Sequence, residues 1–122
     1  GDYLVTDSAN QCVLRCPPSS GASCVTIAGG NGQGSGSAQL NGPFAADVDT
    51  NNDYLVADTE NHRVQLCSAA SPGDNCATVA GTGGQGSSDV QIYEPMGIAV
   101  VSTTTTTSST TSIRTTTTST TS

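Results

Sequence analysis

Five cysteines, one histidine, a run of acidic residues and a hydroxyl-rich C-terminal stretch are the side chains of this sequence that could do chemistry. Cys16 and Cys24 stand 8 positions apart across a loop of Pro, Ser, Gly and Ala, and Cys67 and Cys76 stand 9 apart across a similar one. So many cysteines in a short chain point first to a disulfide framework. Structural zinc needs close pairs of Cys or His and four donors gathered in one place. His62 is the single histidine and lies far along the chain from Cys12 and Cys16, so metal ligation is not expected. Cys12 has no obvious partner. It is expected as a buried thiol packing like a small apolar residue, or else as the site of an intermolecular bond.

The remaining candidates are weaker. The stretch DVDTNNDYLVAD, residues 47–58, places Asp47, Asp49, Asn51, Asp53 and Asp58 where a calcium loop has its ligands. The template fails at Asn52, where a Gly makes the sharp turn, and at Asp58, where a bidentate Glu closes the site. A hairpin turn explains the stretch better. GGNGQGSGS and GTGGQGSS lack the Lys and the strand-to-helix setting of a phosphate cradle. A general base at His62 would need an oriented nucleophile beside it, and the sequence offers none. No catalytic residue, metal or cofactor is expected, and the chain is not read as an enzyme.

These residues sit on a repeat. DYLVTDSANQCVLRC at 2–16 matches DYLVADTENHRVQLC at 53–67, and CVTIAGGNGQGS at 24–35 matches CATVAGTGGQGS at 76–87. The match continues more loosely from LNGPFAADV at 40–48 to IYEPMGIAV at 92–100. Internal repetition of this kind marks a modular architecture. It also pairs the cysteines: Cys16 and Cys24 fall where Cys67 and Cys76 fall in the second copy, which predicts the bridges Cys16–Cys24 and Cys67–Cys76. Cys12 falls opposite Arg63 and gains no partner from the repeat. Each ring is short, and each bridge is worth about 2–3 kcal/mol by chain-entropy arithmetic.

Within the second copy the apolar runs FAADVD, DYLVAD, HRVQLC and ATVAG are separated by Gly, Asn, Asp, Ser and Pro, the pattern of antiparallel strands joined by turns. Nothing shows a helical stripe. GPFAADVDTNNDYLVADTENHRVQLC resembles an NHL repeat, the unit of a class of β-propellers, at Pro43, Tyr54, Val56, Ala57, Asp58, Asn61, His62, Arg63 and Val64. The first copy keeps Tyr3, Asp7, Asn10 and Val13 but has Gln11 and Cys12 in place of the His-Arg pair. The resemblance implies an all-β fold of two four-stranded antiparallel blades, with His62 as a packing residue. The blades are permuted. The chain enters at the second strand of one and leaves, before its tail, on the first strand of another. Residues 1–49 and 50–101 are the approximate repeats, and 102–122 are an extended Ser/Thr-rich tail.

Two blades cannot close a ring, since propellers take about four to eight. Met96, Gly97, Ile98, Ala99, Val100 and Val101 form a surplus first strand, expected to drive self-association by strand addition to an exposed edge.

The composition narrows the partners. The net charge is −7 and the chain has no Lys, which disfavours nucleic acid, because phosphate neutralisation needs clustered Lys and Arg. No apolar run approaches the eighteen or so residues of a membrane span. The start at Gly1, with neither Met nor an apolar leader, suggests a processed product or a segment of something longer. Disulfides place the protein outside the reducing cytosol, secreted or on an extracellular surface. Of residues 102–122, 19 of 21 are Ser or Thr. No Asn begins an Asn-x-Ser/Thr site, so O-glycans are expected instead, on Thr103, Thr104, Thr105, Thr106, Thr107, Thr110, Thr111, Thr115, Thr116, Thr117 and Thr118. The favoured function is an extracellular structural glycoprotein that assembles into a filament, sheath or matrix. The alternative is part of a secreted propeller that binds carbohydrate or protein.

Overall fold

The computed structural model describes residues 1–82, 84–106 and 112–117. It is all-β, with two three-residue 3-10 turns as the helical elements among those residues. The first sheet has the order β1-β2-β3, from β1 (Tyr3–Asp7), β2 (Cys12–Cys16) and β3 (Val25–Gly29). The second has the order β4-β5-β6-β7, from β4 (Pro43–Val48), β5 (Tyr54–Asp58), β6 (Arg63–Cys67) and β7 (Ala77–Ala80). All neighbours are antiparallel. The second sheet is a complete four-stranded blade, and the first is the same blade without its first strand. Sequence repeat and sheet are out of step by one strand: the repeat boundary near residue 50 falls in the hairpin between β4 and β5.

Local chemistry accounts for the turns. At the β4–β5 hairpin the Asp49 carboxylate accepts the amides of Asn51 and Asp53 at 2.9 Å each, while Asn52 takes a left-handed φ of 65°. Short polar side chains tolerate that conformation and cap their own backbone. The acidic run therefore builds a turn. Asp53 accepts the Ala69 amide at 3.0 Å, and Asp58 lies at the far end of β5. Among the described residues no group of three or more His, Cys, Asp or Glu gathers as a metal site. The β1–β2 and β5–β6 connections are also twins: Ser8–Asn10 and Thr59–Asn61 form 3-10 turns, ended by left-handed Gln11 at φ 57° and His62 at φ 52°.

Both expected disulfides are present. Cys16–Cys24 ties the end of β2 to the start of β3, and Cys67–Cys76 does the same for β6 and β7. Cys12 is a free, buried cysteine.

The core lies between the two sheets. Val13, Ile27, Ala28 and Leu40 from the first sheet and its connector meet Tyr54, Val56 and Cys67 of the second, with Leu4, Ala46 and Cys76 packed around them. No core side chain is larger than Tyr54, so the bridges supplement a thin apolar seam.

Beyond the blades, β8 (Val101–Thr106) pairs antiparallel with β9 (Ser112–Thr117), Val101 opposite Thr117 and Thr106 opposite Ser112. The segment anticipated as an extended tail thus runs as two extended strands side by side. β-Branched Thr favours that backbone. Of the candidate glycosylation positions, Thr107, Thr110, Thr111 and Thr118 lie outside the described residues. Met96, Gly97, Ile98, Ala99 and Val100 belong to no named strand, and Val101 opens β8.

Candidate functional site: the blade junctions

The most organised polar chemistry of the molecule fastens one blade to the next. At the first junction the Ser8 hydroxyl donates to the Pro43 carbonyl at 2.6 Å, and the Gly42 amide donates to Gln11 Oε1 at 2.7 Å. Together they seat the start of β4 beside the β1–β2 turn. The chain reaches that point through a connector in which the Gly34 amide donates to the Leu40 carbonyl at 3.2 Å and Gln33 bridges Leu40. Gly29, at φ +70°, starts the connector. A Cβ there would collide with the Gln11 carbonyl and stand 2.8 Å from Leu40 Cδ1, so a side chain is excluded by both space and conformation.

The second junction repeats this bond for bond, 51 or 52 residues on. The Thr59 hydroxyl donates to the Pro95 carbonyl at 2.6 Å, and the Glu94 amide donates to His62 Nδ1 at 2.9 Å. The Gly86 amide donates to the Ile92 carbonyl at 3.2 Å, Gln85 bridges Ile92, and a Cβ on Gly81 would meet the His62 carbonyl and Ile92 Cγ1. His62 also stacks on Tyr93, with ring centroids 5.1 Å apart and planes 6° from parallel. A histidine whose Nδ1 caps a backbone amide and whose face is covered by a tyrosine holds structure, as the resemblance implied.

Asp58 and Arg63 form a clamp on the connector from the other side. Asp58 is fully buried. Its carboxylate accepts the Asn41 amide at 2.7 Å, Asn61 Nδ2 at 2.8 Å and Arg63 Nε at 2.8 Å. The rest of the guanidinium donates to the carbonyls of Ser35 at 3.0 Å, Gly36 at 2.9 Å and Gln39 at 3.0 Å. Asn61 adds a bond to the Gly34 carbonyl at 2.8 Å. One buried ion pair therefore locks the whole connector against β5 and β6, with the remaining protons and lone pairs satisfied, which is what keeps a buried charge tolerable. In the first copy Asn10 and Asp7 retain their mutual bond at 2.7 Å, but Cys12 replaces the arginine. Burial pushes the Cys12 thiol above its ordinary range, and the charge of Asp7 adds to the rise.

A polar seam completes the first junction. Arg15 donates to the Tyr54 hydroxyl across the blades at 2.8 Å and pairs with Asp2 at 2.8 Å, beside a cleft of about 260 Å3. Past the second junction lies an apolar groove of about 340 Å3, lined by Leu55, Val64, Val79, Ile92, Pro95 and Ile98 among others.

The geometry unites most of what the repeat suggested. The cysteine pairs are bonded, His62 lies in the second junction while Arg63 clamps the connector of the first, and residues 95–100 lead away from the second. Ser8, Thr59, Gln11 and Asn41 were not foreseen as junction residues. The signal for the first two was their equivalence in the repeat, a hydroxyl in both copies directly after the shared Asp7 and Asp58.

Comparison with known proteins agrees with this anatomy. The family model of the NHL repeat matches residues 40–65, which span β4, β5, the 3-10 turn and the start of β6 and include Asp58, Asn61, His62 and Arg63. The match lies in the second copy. No curated protein shows significant similarity to the chain. An NHL repeat points to a β-propeller-type protein-binding module. Among the described residues no helix is long and apolar enough to cross a membrane.

Proposed function

We propose that the chain is an extracellular structural glycoprotein, a pair of propeller-type blades that assembles with other blades into a filament, sheath or matrix and carries an O-glycan coat on its Thr-rich segment. One observation carries this reading. The second junction repeats the hydroxyl-to-carbonyl and amide-to-acceptor bonds that place Pro43 and Gly42 at the first, yet it leads into residues 95–100 and on to β8, where the first leads into a full blade. A junction built to hold a blade is a binding device for one. The two disulfides suit an oxidising compartment. The run of hydroxyls suits dense O-glycosylation, which would hold adjacent poly-Thr segments away from sheet aggregation. His62, Asp49, Asp53 and Asp58 are engaged in turns and junctions, which favours a structural role for them over catalysis.

Negative-stain imaging of the purified full chain over a range of concentrations tests the reading. Rings or filaments are expected, because head-to-tail contacts close into one or propagate as the other. Uniform particles of single-chain size at every concentration would contradict it.

A further inference from the structure

The two faces left open by the blades are the two halves of the interface the blades make with each other. Tyr54 accepts its hydrogen bond from Arg15, so Tyr54 and its same-face neighbour Val56 look toward the first sheet, where they are 3% and 0% exposed. Their equivalents 51 residues earlier, Tyr3 and Val5, look away from the second sheet and are 61% and 42% exposed. On the opposing side of the seam Ile27 is 3% exposed and Leu40 1%, whereas their equivalents 52 residues later, Val79 and Ile92, line the open groove, Val79 at 50%. Each apolar half on display matches a half already buried inside the molecule.

The edges repeat the pattern. In the second sheet β4 covers β5, with Pro43 opposite Asp58, Ala45 opposite Ala57 and Asp47 opposite Leu55. In the first sheet β1, the equivalent of β5, is the edge strand. The equivalent of β4 is residues 95–100, anchored at Pro95 and Glu94 beside the groove.

We infer that a second copy of this chain occupies the groove. The Val79 and Ile92 face of one copy packs on the Tyr3 and Val5 face of the next. Residues 95–100 lie along the neighbour's β1, with Pro95 opposite Asp7, Gly97 opposite Thr6 and Ala99 opposite Leu4. This rests on the assembly reading above and names its partner and register. The contact is heterologous, so it builds a ring if the rotation between copies closes, or a filament if it does not. It is also weaker than the junction within the chain. Leu66 stands where Arg15 makes its cross-blade bond, and Cys12 stands where Arg63 clamps the connector.

Mixing two singly substituted full-length chains, Thr6→Cys and Gly97→Cys, tests the register by oxidation and peptide mapping. A bond between positions 6 and 97 is expected, falling to background when Val5→Cys, which points to the other face, replaces Thr6→Cys. Val79→Asp changes a side chain that is half exposed in the single chain, so the fold and both native disulfides should persist while association and cross-linking are lost. Oligomers that survive Val79→Asp and never give the 6–97 bond would overturn this interface and leave the assembly reading standing. A chain that stays monomeric at every concentration would overturn both.

Discussion

Gln11 does the work of His62: its Oε1 accepts the Gly42 amide at 2.7 Å, as His62 Nδ1 accepts the Glu94 amide at 2.9 Å. Both residues end a 3-10 turn in the left-handed conformation, with the side chain on the amide just before Pro43 in one copy and Pro95 in the other. The departure of the first copy from the NHL pattern therefore keeps the acceptor and changes only its carrier.

His62→Gln should consequently be tolerated, and His62→Ala should not. The alanine variant loses one hydrogen bond, worth about 1 kcal/mol, and the stack on Tyr93, worth about 0.5–1.5 kcal/mol. Urea midpoints of the two variants compare them directly. The glutamine variant should fall between the wild type and the alanine variant, on the wild-type side.

Arg63→Ala should be the most damaging single change in the second blade. It strands a fully buried Asp58 carboxylate, a loss of roughly 3–5 kcal/mol. Arg63→Lys keeps the charge but cannot reach Asp58 and three carbonyls at once, so an intermediate loss is expected. Denaturation curves rank the three proteins, and Arg63→Ala matching the wild type would refute the clamp.

The cysteines predict a split in chemistry. Non-reducing peptide mapping should find Cys16 with Cys24 and Cys67 with Cys76, and reduction should cost about 2–3 kcal/mol per bridge. Cys12 should resist alkylation in the native chain at pH values where an unfolded thiol reacts, because burial and Asp7 keep it protonated. Its folded-state pKa is raised, so its contribution to stability is full below the ordinary thiol range and is lost as pH rises through the folded value. A Cys12 alkylation rate equal to that of the denatured chain would contradict this.

The strands of the second blade were legible because turn residues bracket them: FAADVD, DYLVAD, HRVQLC and ATVAG become β4 to β7 with ends shifted by a residue or so. Both bridges followed from repeat symmetry alone. The junction bonds were not legible, since Ser8 and Gln11 matter only once a left-handed residue and a distant Pro43 are brought together in space. The Asp58 clamp joins three separate stretches of chain, and no local pattern announces its carbonyl partners. In the tail, poly-Thr favours strands but lacks a turn signal to fix a register, so the pairing of β8 with β9 had no sequence marker.

The Thr-rich segment should carry sugar in native material. Intact mass of its C-terminal peptide should exceed that of the bare residues by many hexose or hexosamine increments, centred on Thr103 to Thr107 and Thr115 to Thr118. A mass equal to the unmodified peptide would remove the glycan coat from the account and leave the blade assembly to stand alone.

Sedimentation equilibrium of the intact chain over a wide concentration range bears most directly on the central claim, that these blades are made to receive further blades. The weight-average mass should rise with concentration through multiples of the mass that the same material shows in denaturant. A single-chain mass that stays constant across the whole range would contradict it.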